Sequence, residues 1–105
     1  SMTRLVKGWQ NRNGWYKNIY IRDGFRCTCC GSKNKIEAHH KIPIKTIVDI
    51  NKNRFEKSED LYNYLISLDV IIDTELSNGI TLCRECHKKE HVNFGSHNPK
   101  TQTLK

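Results

Sequence analysis

The chain has 105 residues, a size that suits one domain with a modest hydrophobic core. Only 36% of its residues are hydrophobic, the mean hydropathy is −0.72 and the formal net charge is +7. This excludes a membrane-spanning helix, because no apolar run approaches the roughly 20 residues a bilayer requires, and it leaves a core so small that a metal staple would help it fold.

The charge is segregated. Residues 1–57 carry 13 Lys/Arg against 4 acids, residues 58–83 carry 5 acids and no Lys or Arg, and residues 84–105 carry 5 Lys/Arg against 2 acids. Two basic segments therefore flank an acidic one, and a polyanion would be drawn to the basic pair. A solvated surface explains charge alone equally well. The chain shows no signal peptide and no internal repeat, which points to an intracellular, cytoplasmic protein. In a reducing compartment, cysteines at C-x2-C spacing indicate metal binding, not disulfides. The abundance of Lys, Asn and Ile hints at an AT-rich bacterial or phage genome.

Taken in order, residues 1–14 read as a basic arm or short helix carrying Arg4, Lys7, Trp9 and Arg12, with Ser1 a scar of tag removal. Trp15, Tyr16, Ile19 and Tyr20 fall at helical spacing, and the Asp23-Gly24 step ends that helix. Such a stripe is more often a buried face than a base-stacking platform. Residues 25–31 read as a strand running into a knuckle made by Cys27 and Cys30, with Gly31 relieving the turn and Cys29 a spare thiol. Residues 36–44 read as a strand interrupted by Pro43. Residues 45–57 are polar and basic and read as loop. Ser58 can cap a helix that has Glu59 and Asp60 in its first turn and Leu61, Leu65 and Leu68 along one side. Val70-Ile71-Ile72 is too short to assign. Asn78-Gly79 is a turn signal before the short strand Ile80-Thr81-Leu82, and a helix begins near Cys83 or Arg84. The tail, 96–105, has little to pack and is expected to be partly disordered beyond about Asn98.

Two constellations carry chemistry. Cys27, Cys30, Cys83 and Cys86 form two C-x2-C pairs, the four-thiolate set of a closed structural zinc site. The competing reading is four buried free thiols, which paired spacing disfavours. The second set is His39, His40, Asn78, His87 and His91. His87 and His91 are four apart, so a helix projects both from one face. They could ligate a second ion, or His87 could cap the zinc site by donating to sulfur. His39 and His40, adjacent on a strand, face opposite sides unless the strand is twisted.

The ordered set Cys27-x2-Cys30, then Glu37-Ala38-His39-His40-Lys41-Ile42-Pro43, then Asn78-Gly79-Ile80-Thr81-Leu82-Cys83-x2-Cys86-His87, then His91, resembles the HNH endonuclease family. The likeness is to its zinc-containing phage and bacterial members. It covers residues 15–95, with an insertion at about 45–77, and Arg22-Asp23-Gly24-Phe25 is also typical. The resemblance implies a small α+β fold: a ββα-metal core in which a hairpin carries the paired histidines and a helix carries the last, with the four-cysteine zinc site and flanking helices.

It also implies roles. His40 matches the general base, His39 a metal ligand, Asn78 the residue that braces the hairpin and orients the base, His87 a metal ligand, and His91 a further ligand. The activity implied is hydrolysis of DNA phosphodiester bonds, by nicking or double-strand cleavage, leaving a 5′-phosphate and a 3′-hydroxyl. The cofactors implied are structural Zn²⁺ and one catalytic divalent ion, Mn²⁺, Ni²⁺, Co²⁺ or Mg²⁺. DNA is the expected partner, bound mostly through phosphates, with Lys41, Arg84, Lys88 and Lys89 as contacts. Phage relatives work beside DNA-packaging (terminase) proteins, which are further expected partners. A non-catalytic zinc module that binds nucleic acid, and a protein-interaction domain docking through the acidic helix, are the alternatives. Neither needs a general base beside a metal.

Overall fold

The structure is a computed structural model that describes residues 1–95, with side chains through Lys89. Two strands, β1 (Ile36–His40) and β2 (Gly79–Cys83), pair antiparallel with His39 opposite Ile80 and His40 opposite Gly79. Helix α6 (Arg84–Gly95) follows β2 directly and packs on the sheet, giving the ββα unit that the resemblance implies. Four helices precede it: α1 (Met2–Arg12), α2 (Trp15–Arg22), α3 (Ile44–Asn51) and α4 (Ser58–Leu65), followed by one turn, α5 (Asp69–Ile72). Among the described residues no helix is long and apolar enough to cross a membrane.

Residues 2–12 are helical throughout, not a loose arm. Ser1 Oγ accepts the Arg4 N–H at 3.3 Å, and the buried face is set by Val6 and Gln10, four residues apart. The sequence shows no clean apolar period because a polar residue, Gln10, occupies one of its core positions. Residues 45–57 also depart from the loop expected of them. Ile44, Ile47, Val48 and Asn51, at the i, i+3, i+4, i+7 spacing of one helical face, are all buried in α3. Lys45, Asp49 and Lys52 pair on the solvent side, which is why the segment reads as polar. Pro43 starts this helix as its N-cap, where its fixed φ and missing N–H do no harm. Ser58 opens α4 without a side-chain capping bond, and Lys57 takes the cap position.

Residues 25–31 are not a strand. Gly24 and Phe25 both have positive φ, 72° and 55°, so the backbone turns sharply where a strand would extend. The segment nevertheless covers the outer edge of β2: Thr28 N–H donates to Thr81 O at 3.0 Å, and Thr81 N–H donates to Asp23 Oδ2 at 2.9 Å. Arg22 completes this clamp, donating to Leu76 O at 2.7 Å and Gly79 O at 2.8 Å while its guanidinium pairs with Asp23. On the other edge, Ala38 N–H donates to Tyr20 Oη at 3.1 Å.

The interior has two centres. One is helical, made of Val6, Ile44, Ile47, Val48, Leu61, Leu65 and Ile71, and it joins α1 to residues 44–72. The other is Cys27, Leu82, Cys83 and Cys86. Trp15 and Ile19 of α2 lie buried against the start of β2, so close that a Cβ on Gly79 would sit 2.6 Å from Trp15 Cζ2 and 2.3 Å from Ile19 Cδ1. Asn78-Gly79 is thus a close-packed junction as well as a turn.

Candidate functional site

The four cysteines converge. Their Sγ atoms all lie within 4.8 Å of one another, and Cys30 Sγ is 3.6 Å from Cys83 Sγ. Four sulfurs around one zinc at ~2.3 Å would stand about 3.8 Å apart, so the set fits such an ion. Backbone N–H groups aim at two of the sulfurs: those of Cys29 and Cys30 point at Cys27 Sγ, at 3.3 and 3.4 Å, and that of Cys86 points at Cys83 Sγ at 3.4 Å. Burial opposes ionisation of Cys27, but the hydrogen bonds outweigh it and bring the thiol down to about 6. The cluster can therefore hold a metal ion such as zinc, tying the 27–30 knuckle to the β2–α6 junction. Cys29 is exposed and stays outside it.

The second constellation divides between the two faces of β1. His39 turns toward α6, where its Nδ1 lies 3.0 Å from His87 Nε2. Two imidazole nitrogens bound to one ion at ~2.0 Å would be roughly 3.3 Å apart, so this pair fits two positions of a metal site. His87 Nδ1 meets Glu37 Oε1 at 2.5 Å. A carboxylate on the far nitrogen fixes the tautomer that leaves Nε2 as the ligand atom. Glu37 is two residues before His39 and so shares its strand face, a signal the sequence contained but the motif reading passed over. His91 lies on α6, and its side chain falls outside the described ones.

His40 turns to the opposite face, toward α1 and α2. It is 8% exposed and stacks on the Trp15 ring at 4.1 Å with an interplanar angle of 2°. Its Nε2 lies 2.8 Å from Gln10 Oε1. Burial first, then the positive charges of Lys7 and His39, push its pKa down to about 4, against a smaller opposing pull from Asp73. The imidazole is neutral at pH 7.

Asn78 joins the two ends of the long connection between the strands. Its Oδ1 accepts the Ile42 N–H at 2.8 Å and its Nδ2 donates to Ile42 O at 3.1 Å. Asp73 sits beneath it with left-handed backbone, φ 48°, accepting both the Asn78 N–H and the Trp15 Nε1–H, the latter at 2.8 Å. Trp15, Asp73 and Gln10 therefore support His40 and Asn78, and of the three only Asp73 stands near either in sequence. Lys41, Arg84, Lys88 and Lys89 are all exposed.

The HNH endonuclease family model matches residues 52–93. That span holds Asn78, Cys83, Cys86, His87 and His91 and leaves Cys27, Cys30, His39 and His40 outside; the fold returns Cys27 and Cys30 to the cysteine cluster and His39 to His87. The match supports the resemblance carried by the motifs. No curated protein and no solved structure matches the chain.

Proposed function

We propose that the chain is a metal-dependent HNH endonuclease that hydrolyses DNA phosphodiester bonds, leaving a 5′-phosphate and a 3′-hydroxyl. The observation that carries this reading is the His39–His87 nitrogen pair, 3.0 Å apart, mounted on a ββα frame and backed by Glu37. A structural zinc on Cys27, Cys30, Cys83 and Cys86 holds the frame, and His39, His87 and His91 hold the catalytic ion. When bound, that ion supplies Lewis-acid stabilisation of the charge that builds on the phosphate and on the departing 3′ oxygen.

The chain's own groups do the rest. His40, neutral at pH 7, takes a proton from the water whose oxygen bonds to phosphorus. The bond from phosphorus to the 3′ oxygen breaks, and that oxygen gains a proton from solvent. Asn78 fixes the chain direction just after His40 through Ile42. Lys41, Arg84, Lys88 and Lys89 meet backbone phosphates, giving sequence-tolerant affinity that falls steeply with salt.

One observation favours a second reading. His40 is nearly enclosed and turned away from His87, as a binding module without a base would allow. Plasmid cleavage with a panel of divalent ions separates the two. The endonuclease reading expects cutting by the wild type and none by His40→Ala, which still binds DNA. Salt-sensitive DNA binding with no cleavage under any ion would establish the binding module instead.

A further inference from the structure

Gln10 stands in the N-terminal helix, far in sequence from every motif residue, yet it is 1% exposed and makes two long-range hydrogen bonds. Its Nε2 donates to Ile71 O at 2.8 Å, and its Oε1 lies 2.8 Å from His40 Nε2. The two ends of an amide look alike in shape, so the network must decide which way it points. Here it decides firmly. The Ile71 carbonyl can only accept, so the NH2 end of Gln10 must face it. The oxygen is left to face His40, and an amide oxygen can only accept as well. His40 Nε2 must therefore carry a hydrogen, and in the neutral ring Nδ1 is then the basic nitrogen.

We propose that Gln10 is a positioning residue that sets the His40 tautomer, making Nδ1 the atom that receives the proton from water; this rests on the endonuclease reading above. Ile71 lies in the last positions of the single-turn helix α5, which is too short for its carbonyl to find an intrahelical partner, and Gln10 supplies one. The relay therefore runs from the connection between the strands, through α1, to the strand that carries the base. It gives the 44–72 segment a role in catalysis beyond its share of the core: its backbone holds the amide that holds the imidazole. Stacking on Trp15 fixes the plane of the His40 ring, and Gln10 fixes which nitrogen is protonated within that plane.

Two variants separate this from a merely structural role. Gln10→Met keeps the volume but removes the acceptor facing His40. Gln10→Glu keeps an acceptor there but buries a carboxylate beside the Ile71 carbonyl, which damages the fold more. A structural role therefore orders activity as wild type, Met, then Glu, following thermal stability. Tautomer control orders it as wild type, Glu, then Met, against stability. Long-range ¹H–¹⁵N spectra of the zinc-loaded full chain, free of DNA, should show His40 as the Nε2–H form in wild type and Gln10→Glu, and as a mixture in Gln10→Met. Cleavage turnover in Gln10→Met should fall roughly 10- to 100-fold, the usual scale for a lost supporting contact. An Nδ1–H ring in the wild type, or turnover that simply follows stability, overturns the proposal. A wild type that shows the Nε2–H ring but never cuts DNA would sink the endonuclease reading, and with it the role of Nδ1, while leaving the hydrogen-bond assignment intact.

Discussion

His39 Nδ1 lies 3.0 Å from His87 Nε2, and the far nitrogen of His87 rests on the Glu37 carboxylate. In the proposed site the three ligands, His39, His87 and His91, would all be imidazoles, with no anionic oxygen among them. Mg²⁺ prefers oxygen, whereas imidazole suits Ni²⁺ and Co²⁺, and Mn²⁺ accepts both. Cleavage with Mn²⁺, Ni²⁺ or Co²⁺ should exceed that with Mg²⁺, and His39→Asp should move the preference toward Mg²⁺. Glu37 adds an oxygen nearby, but spends it on His87. Glu37→Gln should therefore weaken ion binding by roughly 10- to 100-fold without reordering the ions. Calorimetry on zinc-loaded protein checks this, and unchanged affinity in Glu37→Gln would show the contact to be idle.

The four-cysteine cluster joins two segments distant in sequence, and a metal ion held there would offset the chain entropy that closing so long a loop costs. One zinc per chain should survive gel filtration, and Cys83→Ala should lose both the ion and the cooperative unfolding transition. Cys29→Ala should lose neither, because Cys29 stands outside the cluster. Elemental analysis with a thermal melt decides. Folded protein free of zinc would refute the assignment.

Gly79 faces Ile19 and Trp15 with no room for a methyl group. Gly79→Ala must push α2 off β2 or bend the strand, and overpacking of this kind costs about 1–3 kcal/mol. The displaced Trp15 also carries the His40 stack, so cleavage should fall along with stability. Urea unfolding and plasmid cleavage measure the two. A neutral Gly79→Ala would mean that the packing here gives way easily.

The sequence displayed what obeys local spacing. The cysteine pairs, α2 with its stop at Asp23-Gly24, and the β2–α6 junction are all where their motifs place them. What escaped it depends on contacts between distant residues. Gln10 is polar in a core position because its partners are His40 and the Ile71 carbonyl, 30 and 61 residues away. The α3 helix hid behind its charged outer face, though Ile44, Ile47 and Val48 carried the period. The adjacent histidines did raise the right geometric question, and the strand answers it by sending them to opposite faces.

That division has a measurable consequence in acid. His40 titrates at about 4 in the folded chain, chiefly because burial disfavours its charged form, with Lys7 and His39 adding repulsion. In the unfolded chain an imidazole titrates near 6.5. The folded value is the lower one, so the unfolded state takes up the proton first as pH falls. Above pH 6.5 both states are neutral and nothing is lost. Between 6.5 and 4 stability declines, by roughly 2 kcal/mol at pH 5, and below 4 the loss levels off near 3 kcal/mol. The cysteine cluster also weakens in acid, but it does so equally in a chain lacking His40. The comparison is therefore between wild type and His40→Gln, each unfolded in urea at pH 7 and pH 5 with zinc in excess. The wild type should lose about 2 kcal/mol more than the variant over that interval. Equal losses would mean that His40 is charged, or freely solvated, in the folded protein, and the enclosed, neutral imidazole would have to be abandoned.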